Sequence, residues 1–218
     1  MAPPILYSTE ISPPCRSVLL AVAVAGIDLA VQETNLLAGE HRKEEFVKMN
    51  PQHTIPTLND NGFLLSDSHA IVTYLIDKYA KDDSLYPKDL QKRALVNQFL
   101  HFNNAVLFIE IRFQYPMFFK GVEEVSQERV DLLKTACGFL EQYLEDNDWL
   151  VGDTYTLADT SIITTVSGFP SILSLEKFPK LSAWMKRCED KIPGYATANA
   201  PGNIMFANEI SERILQYQ

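Results

Sequence analysis

The sequence predicts two units of different class, an α/β unit of order βαβ-ββα over residues 1–80 and an all-α unit over residues 89–218. Three observations carry this division. Strand and helix signals alternate through the first eighty residues, whereas helical periodicity runs almost unbroken from residue 90 onward. Between them, "KDDSLYPK" (81–88) is polar, charged and interrupted by proline, as linkers are. A chain of 218 residues has room for one or two compact units, and its 46% hydrophobic content suffices for a sizeable core.

The elements follow in order. "PILY" is a short buried strand ahead of "SPPC", and residues 15–25 form a helix with Pro13 and Pro14 at its entry and Gly26 at its exit. "LAVQETNL" alternates as a second strand. "TIPTL", "NDNG" and "FLL" make a hairpin, because Asn61-Gly62 supplies the positive φ angles of a tight turn. "SHAIVTYLIDKYA" is helical from Ser68. In the second unit Leu90, Ala94, Leu95, Phe99 and Leu100 recur at helical spacing, as do Val130, Leu133, Phe139, Leu140 and Tyr143. "TLADTSIITTV" opens with Thr156 and Asp159 at capping-box spacing, with Asp a shorter arm than the usual Glu.

Charge and cysteine content narrow the class. A net charge of −9 argues against nucleic-acid or anionic-membrane partners, which require a basic face, so an anionic ligand has to be held by local groups. Cys15, Cys137 and Cys188 are widely spread and suggest neither a disulfide framework nor a zinc cluster. "MAPPILYSTE" lacks the basic and apolar regions of a signal peptide, and the apolar run "VLLAVAVAGI" is about half the length that spans a bilayer. The expectation is a cytoplasmic protein.

Several residues could carry chemistry. Ser12 and Cys15 have the spacing of a dithiol redox pair with a hydroxyl at the first position; Ser12 is equally placed to be a helix N-cap. Asp67 and Ser68 stand together at a helix start, suited either to capping or to receiving an ammonium and a carboxylate side by side. His41, His53 and His69 lie twelve and sixteen residues apart, which matches no compact metal-ligand motif. "AVLFIEIRFQYPMFF" (105–119) holds more apolar and aromatic bulk than one buried stripe requires, although core packing accounts for part of it.

In order and spacing, "SPPCRS", "NPQHTIPTL", "SDSHAI" and "TLADTSI" resemble the cytosolic glutathione transferases across nearly the whole chain. Ser-Pro-Pro-Cys-Arg-Ser and Asp-Ser-His-Ala-Ile resemble the insect epsilon class, with delta as the neighbouring alternative. The resemblance implies a thioredoxin-like N-terminal domain, an all-helical C-terminal domain, a homodimer, and conjugation of the co-substrate glutathione to hydrophobic electrophiles, as in detoxification, without a metal. It implies that Ser12 donates a hydrogen bond to the glutathione thiolate, and that the Ile55-Pro56 bond is cis. Glutathione would be held by Ser12, His41, His53, Thr54, Ile55, Asp67, Ser68 and His69. His41 and His53 would meet the glycyl carboxylate and Asp67 the γ-glutamyl amine, with His69 near the γ-glutamyl end or a dimer contact. The electrophile would be lined by Leu107, Phe108, Ile111, Arg112, Tyr115 and Phe119, with Phe206 as a lid.

Alternatives stay open at this level. Tyr7, at the end of the first strand, rivals Ser12 for the sulfur and is also a good core residue. Cys15 could form mixed disulfides as a glutathione-dependent oxidoreductase does, or simply fill space inside. A non-catalytic glutathione- or ligand-binding protein would carry the same motifs. Because a thiolate is also a base, the same site is compatible with dehydrohalogenation or peroxide reduction.

Overall fold

The structure is a computed structural model that describes residues 2–112 and 127–215. The N-terminal unit is a four-stranded mixed sheet of order β2-β1-β3-β4. Strands β1 (Ile5–Ser8) and β2 (Ala30–Glu33) pair in parallel across helix α1 (Pro13–Ala25). Strands β3 (Thr57–Asp60) and β4 (Phe63–Ser66) form the hairpin, and β3 lies antiparallel to β1. Its turn is Asn61-Gly62, at φ 51° and 98°. Helix α2 (Glu44–Met49) precedes β3, and α3 (Ser68–Tyr79) follows β4. This is the thioredoxin-like arrangement. Leu6 and Leu58 of the sheet and Val18, Ile71 and Leu75 of the helices are fully buried.

A charged staple closes this unit. The Asp60 side chain, at the end of β3, accepts from Lys78 Nζ and Tyr74 Oη at 2.6 Å and from Tyr79 Oη at 2.8 Å. Burial pushes its carboxyl up, but the Lys78, Tyr74, Asn61 and Tyr79 donors together outweigh burial and hold it below the usual carboxylate range. Stability from this group is therefore present above the ordinary carboxylate pKa and is lost as pH falls below about 4. Asp60→Asn is expected to lower the unfolding free energy by about 2 kcal/mol at neutral pH, read from the urea midpoint. An unchanged midpoint would show that solvation of Lys78 compensates.

The second unit is helical, with α4 (Leu90–Phe102), α5 (Phe108–Arg112), α6 (Gln127–Tyr143), α7 (Leu157–Val166), α8 (Pro179–Lys191), α9 (Tyr195–Ala198) and α10 (Ala200–Leu215). Helix α7 is buried on every side. The expected capping box is present: Asp159 Oδ2 accepts from Thr156 N at 2.9 Å, and Thr156 Oγ1 accepts from Ala158 N. The apolar stripe of α4 differs from expectation. Leu90, Ala94 and Leu95 are exposed, and the buried stripe is Val96, Phe99 and Leu100. Asp89 caps the helix through Lys92 N, which leaves Leu90 at the open first position.

The two units are tied by polar contacts along α1. Ser17 Oγ donates to Ser161 Oγ at 2.9 Å, and Thr164 Oγ1 donates to Pro13 O at 3.1 Å. These bonds explain why a fully enclosed helix can carry Ser161 and Thr164. Between the units, Leu85 and Tyr86 are buried, and Arg93 stacks on the Tyr86 ring at 4.0 Å, so the connection is pinned. Among the described residues no helix is long and apolar enough to cross a membrane.

Candidate functional site

A cleft of about 600 Å³ lies where the open end of the sheet meets the helical unit. Its first wall is the β1–α1 turn. Ser12, 6% exposed, lines the cleft and precedes α1, yet its side chain makes no capping bond. Two prolines explain this in part: Pro13 and Pro14 occupy the first helical positions and have no N–H to offer. The N-cap reading of the Ser12 side chain therefore needs correction. The helix dipole and the hydroxyl remain; the first two amide donors do not. Cys15, three residues on, is fully buried. Burial pushes its thiol up, against the opposing pull of the Ser12 hydroxyl, the Thr9 backbone, the Ser8 hydroxyl and the Arg16 charge. A buried, protonated thiol is a packing group and not a nucleophile.

The second wall is the segment before β3. Asn50, 3% exposed, organises it: Nδ2 reaches Thr54 O, Thr54 Oγ1 and Thr57 Oγ1 at 3.0–3.1 Å, and Oδ1 accepts from Gln52 N at 3.0 Å. Within this segment His53 takes φ 45° and Ile55-Pro56 is cis, and Gln52, His53, Thr54 and Ile55 all line the cleft. His41 joins from the segment before α2, its ring centroid 6.1 Å from that of His53. Burial, then the Arg42 and His53 charges, lower the His41 pKa, so at neutral pH the ring is an uncharged hydrogen-bonding group. Arg42 and Arg112 line the same cleft, and they are the local cations an anionic ligand requires in a chain of net charge −9.

The third wall opens α3. Asp67, at φ 75°, accepts from His69 N at 2.9 Å and Ala70 N at 3.1 Å through Oδ1, and from Asn104 Nδ2 at 3.2 Å through Oδ2. It is thus a helix cap and a cleft carboxylate at once. Ser68, 5% exposed, lies beside it on the cleft.

Among the described residues, the helical unit contributes one face, that of α5 and the turn before it. Asn103–Leu107 form a π-turn between α4 and α5, and around it neighbouring residues divide between two stripes. Asn104, Phe108 and Arg112 face the cleft. Leu107 and Ile111, both fully buried, face the core, which corrects their expected place at the electrophile. The two stripes are adjacent on the helix, about 100° apart, so apolar periodicity alone does not separate them. Tyr115 and Phe119 lie outside the described residues.

Two further expectations are corrected. His69 does not line the cleft; it is 8% exposed between the units, with Asn103 Nδ2 3.3 Å from its Nε2, and burial pushes it down to about 4. Phe206 is 1% exposed and packs against Gly168, where a Cβ would come within 3.0 Å of its ring, so it is a core wedge and not a lid. Tyr7 packs edge-on against Phe46 at 5.8 Å between ring centroids and is not among the cleft-lining residues. Arg42, Gln52 and Asn104 also line the cleft, beyond the residues expected from the sequence. Gln52 stands within the quoted "NPQHTIPTL", and Asn104 was recoverable from the four-residue spacing to Phe108 and Arg112.

Comparison with known proteins extends over both units. Residues 6–83 match the family described as glutathione S-transferase, N-terminal domain, and residues 93–191 match glutathione S-transferase, C-terminal domain. A delta-class glutathione transferase of Nilaparvata lugens is 40% identical, with TM-score 0.92, covering 97% of this chain and 100% of that one. An epsilon-class glutathione S-transferase of the housefly, Musca domestica, is 41% identical, with TM-score 0.91, covering 96% and 98%. A glutathione transferase homologue from Drosophila mojavensis, solved with bound glutathione, is 40% identical, with TM-score 0.93 and 98% of each chain covered.

Proposed function

This chain belongs to the glutathione S-transferase family, enzymes that use glutathione as co-substrate, and from that premise we propose that Ser12 holds the glutathione sulfur as a thiolate for attack on a hydrophobic electrophile. One observation carries the assignment. Ser12, the His41–Arg42 and 52–56 segments, and Asp67-Ser68 converge on a single cleft with Phe108 and Arg112 opposite.

Each part of glutathione has a counterpart there. His53, His41 and Arg42 suit the glycyl carboxylate. Thr54 and Ile55 offer backbone to the cysteinyl residue, as an added strand rung does. The cleft-facing edge of Asp67 suits the γ-glutamyl ammonium, and Ser68, in the first turn of α3, suits its carboxylate. The sulfur then lies by Ser12, where a donated hydroxyl hydrogen bond and the α1 dipole both favour the anion. The thiol proton leaves to solvent. The sulfur lone pair forms the new C–S bond as the electrophile's leaving group departs with its bonding electrons. Phe108 supplies the apolar surface for the electrophile, and Arg112 stands by for an anionic group in the cleft. The gain comes from thiolate fraction, proximity and a partly dry site.

The Cys15 oxidoreductase alternative finds no support in a fully buried thiol. Within the family, the Ser-Pro-Pro-Cys-Arg-Ser and Asp-Ser-His-Ala-Ile runs favour the epsilon class. A cytoplasmic homodimer, with domains at 1–80 and 89–218 joined by 81–88, accords with this reading. The test is a pH–rate profile with glutathione and a chlorodinitroarene. Cys15→Ser is expected to keep wild-type conjugation within about twofold, since a buried Cys→Ser change acts through packing and not through chemistry. Loss of conjugation in folded Cys15→Ser with retention in Ser12→Ala would reverse the assignment.

A further inference from the structure

The turn that presents Ser12 is held from behind by the far end of the chain. Ser12 N donates to Thr9 O at 3.3 Å, closing the turn. The carbonyls of its two middle residues, Glu10 and Ile11, both accept from Arg16 Nη1, at 3.3 and 2.9 Å. Arg16 is fully buried; its Nη2 donates to Thr164 O at 2.9 Å, and its Nε donates to Asn199 Oδ1 at 2.9 Å, 183 residues away in sequence. Asn199, also fully buried, is oriented in turn by donating Nδ2 to Ser167 Oγ at 3.2 Å. Its own carbonyl accepts from Asn203 N at 3.0 Å, at the first turn of α10.

Gly202 lies in that same turn. A Cβ there would fall 1.9 Å from Glu10 O, 2.7 Å from Glu10 C and 2.9 Å from Arg16 Cδ. The α10 backbone is therefore seated directly against the Glu10 peptide, and any side chain at 202 would push the turn or the helix away. One polar contact, from Asn199 by way of Arg16, and one steric contact, from Gly202 at the start of α10, thus reach the same turn.

We infer that Asn199 and Gly202 are positioning residues for the Ser12 hydroxyl, acting through Arg16 and the Glu10 carbonyl, and so set how strongly the site ionises bound glutathione. The reason is geometric. A hydrogen bond to sulfur weakens steeply as its angle and length drift, and a turn of four residues passes a displacement of its middle peptide on to its last residue. The inference rests on the reading of Ser12 as the thiolate partner.

The experiment titrates the thiolate absorbance of glutathione bound to the full-length protein, alongside KM for glutathione and the thermal midpoint. Asn199→Ala removes the Arg16 acceptor without adding bulk, and Gly202→Ala adds the clash. Each is expected to raise the bound-thiol pKa by about half a unit, part of the Ser12→Ala shift, with KM for glutathione changed less than about twofold. Asn199→Asp, which keeps an acceptor for Nε, is expected to return the bound-thiol pKa most of the way to the wild-type value. In the Ser12→Ala background, Asn199→Ala should add nothing further, because both act on one hydrogen bond. A wild-type pKa in folded Asn199→Ala, or a shift that persists in full without the Ser12 hydroxyl, overturns the inference while leaving Ser12 its role. An unchanged pKa in Ser12→Ala alone removes that role, and the inference with it.

Discussion

Ser12→Ala is expected to raise the pKa of bound glutathione by about one to two units and to lower turnover below that pH by about tenfold or more. The magnitude follows from one lost bond. A hydrogen bond to a charged acceptor contributes roughly 1.5–3 kcal/mol, and one pKa unit corresponds to about 1.4 kcal/mol. The α1 dipole survives the substitution, so some depression of the thiol pKa remains. KM for glutathione should change little, because the binding groups at both ends of the tripeptide are untouched: the His41–His53 pair and Asp67-Ser68. The deficit should narrow as pH rises past the new pKa, where thiolate fraction no longer differs. A pH–rate profile superimposable on wild type would end the case for Ser12.

The second large effect concerns stability. Asp159, fully buried at the start of α7, accepts from Leu150 N at 3.0 Å, Thr156 N at 2.9 Å and Trp184 Nε1 at 2.9 Å. These donors come from the segment before α7, the α7 cap and α8, so one carboxylate joins three parts of the helical unit. Burial pushes its carboxyl up, and these three donors, with the Thr156 hydroxyl at 3.4 Å, pull the other way. Asp159→Ala strands all three in a dry interior. At 1–3 kcal/mol for each unsatisfied group, and allowing for relaxation, the loss is about 4 kcal/mol. Against a total stability on the order of 5–15 kcal/mol, that leaves little or no folded protein on mild warming. Urea unfolding of the variant measures it directly. A loss below about 1 kcal/mol would mean that relief of the buried charge offsets the stranded donors.

The sequence by itself determined the order of elements, the Asn61-Gly62 hairpin and the Thr156–Asp159 cap, because each depends on near neighbours. Turn chemistry, proline and capping preferences act within a few residues and are legible there. What lies between segments was not legible. Leu107 and Phe108 are adjacent and both apolar, yet one is sealed in the core and the other lines the cleft; the direction of a helix face is set by what packs against it, not by its own periodicity. His69 carries the same chemistry as His53, and only the Asn103 neighbour and the closing of the two units made it a buried, neutral group. Phe206 and Arg16 followed the same rule, since their burial depends on partners far away in the chain. Spacing names the residues that can do chemistry. Long-range packing decides which of them are left facing the cleft, because exposure is a property of the assembled surface.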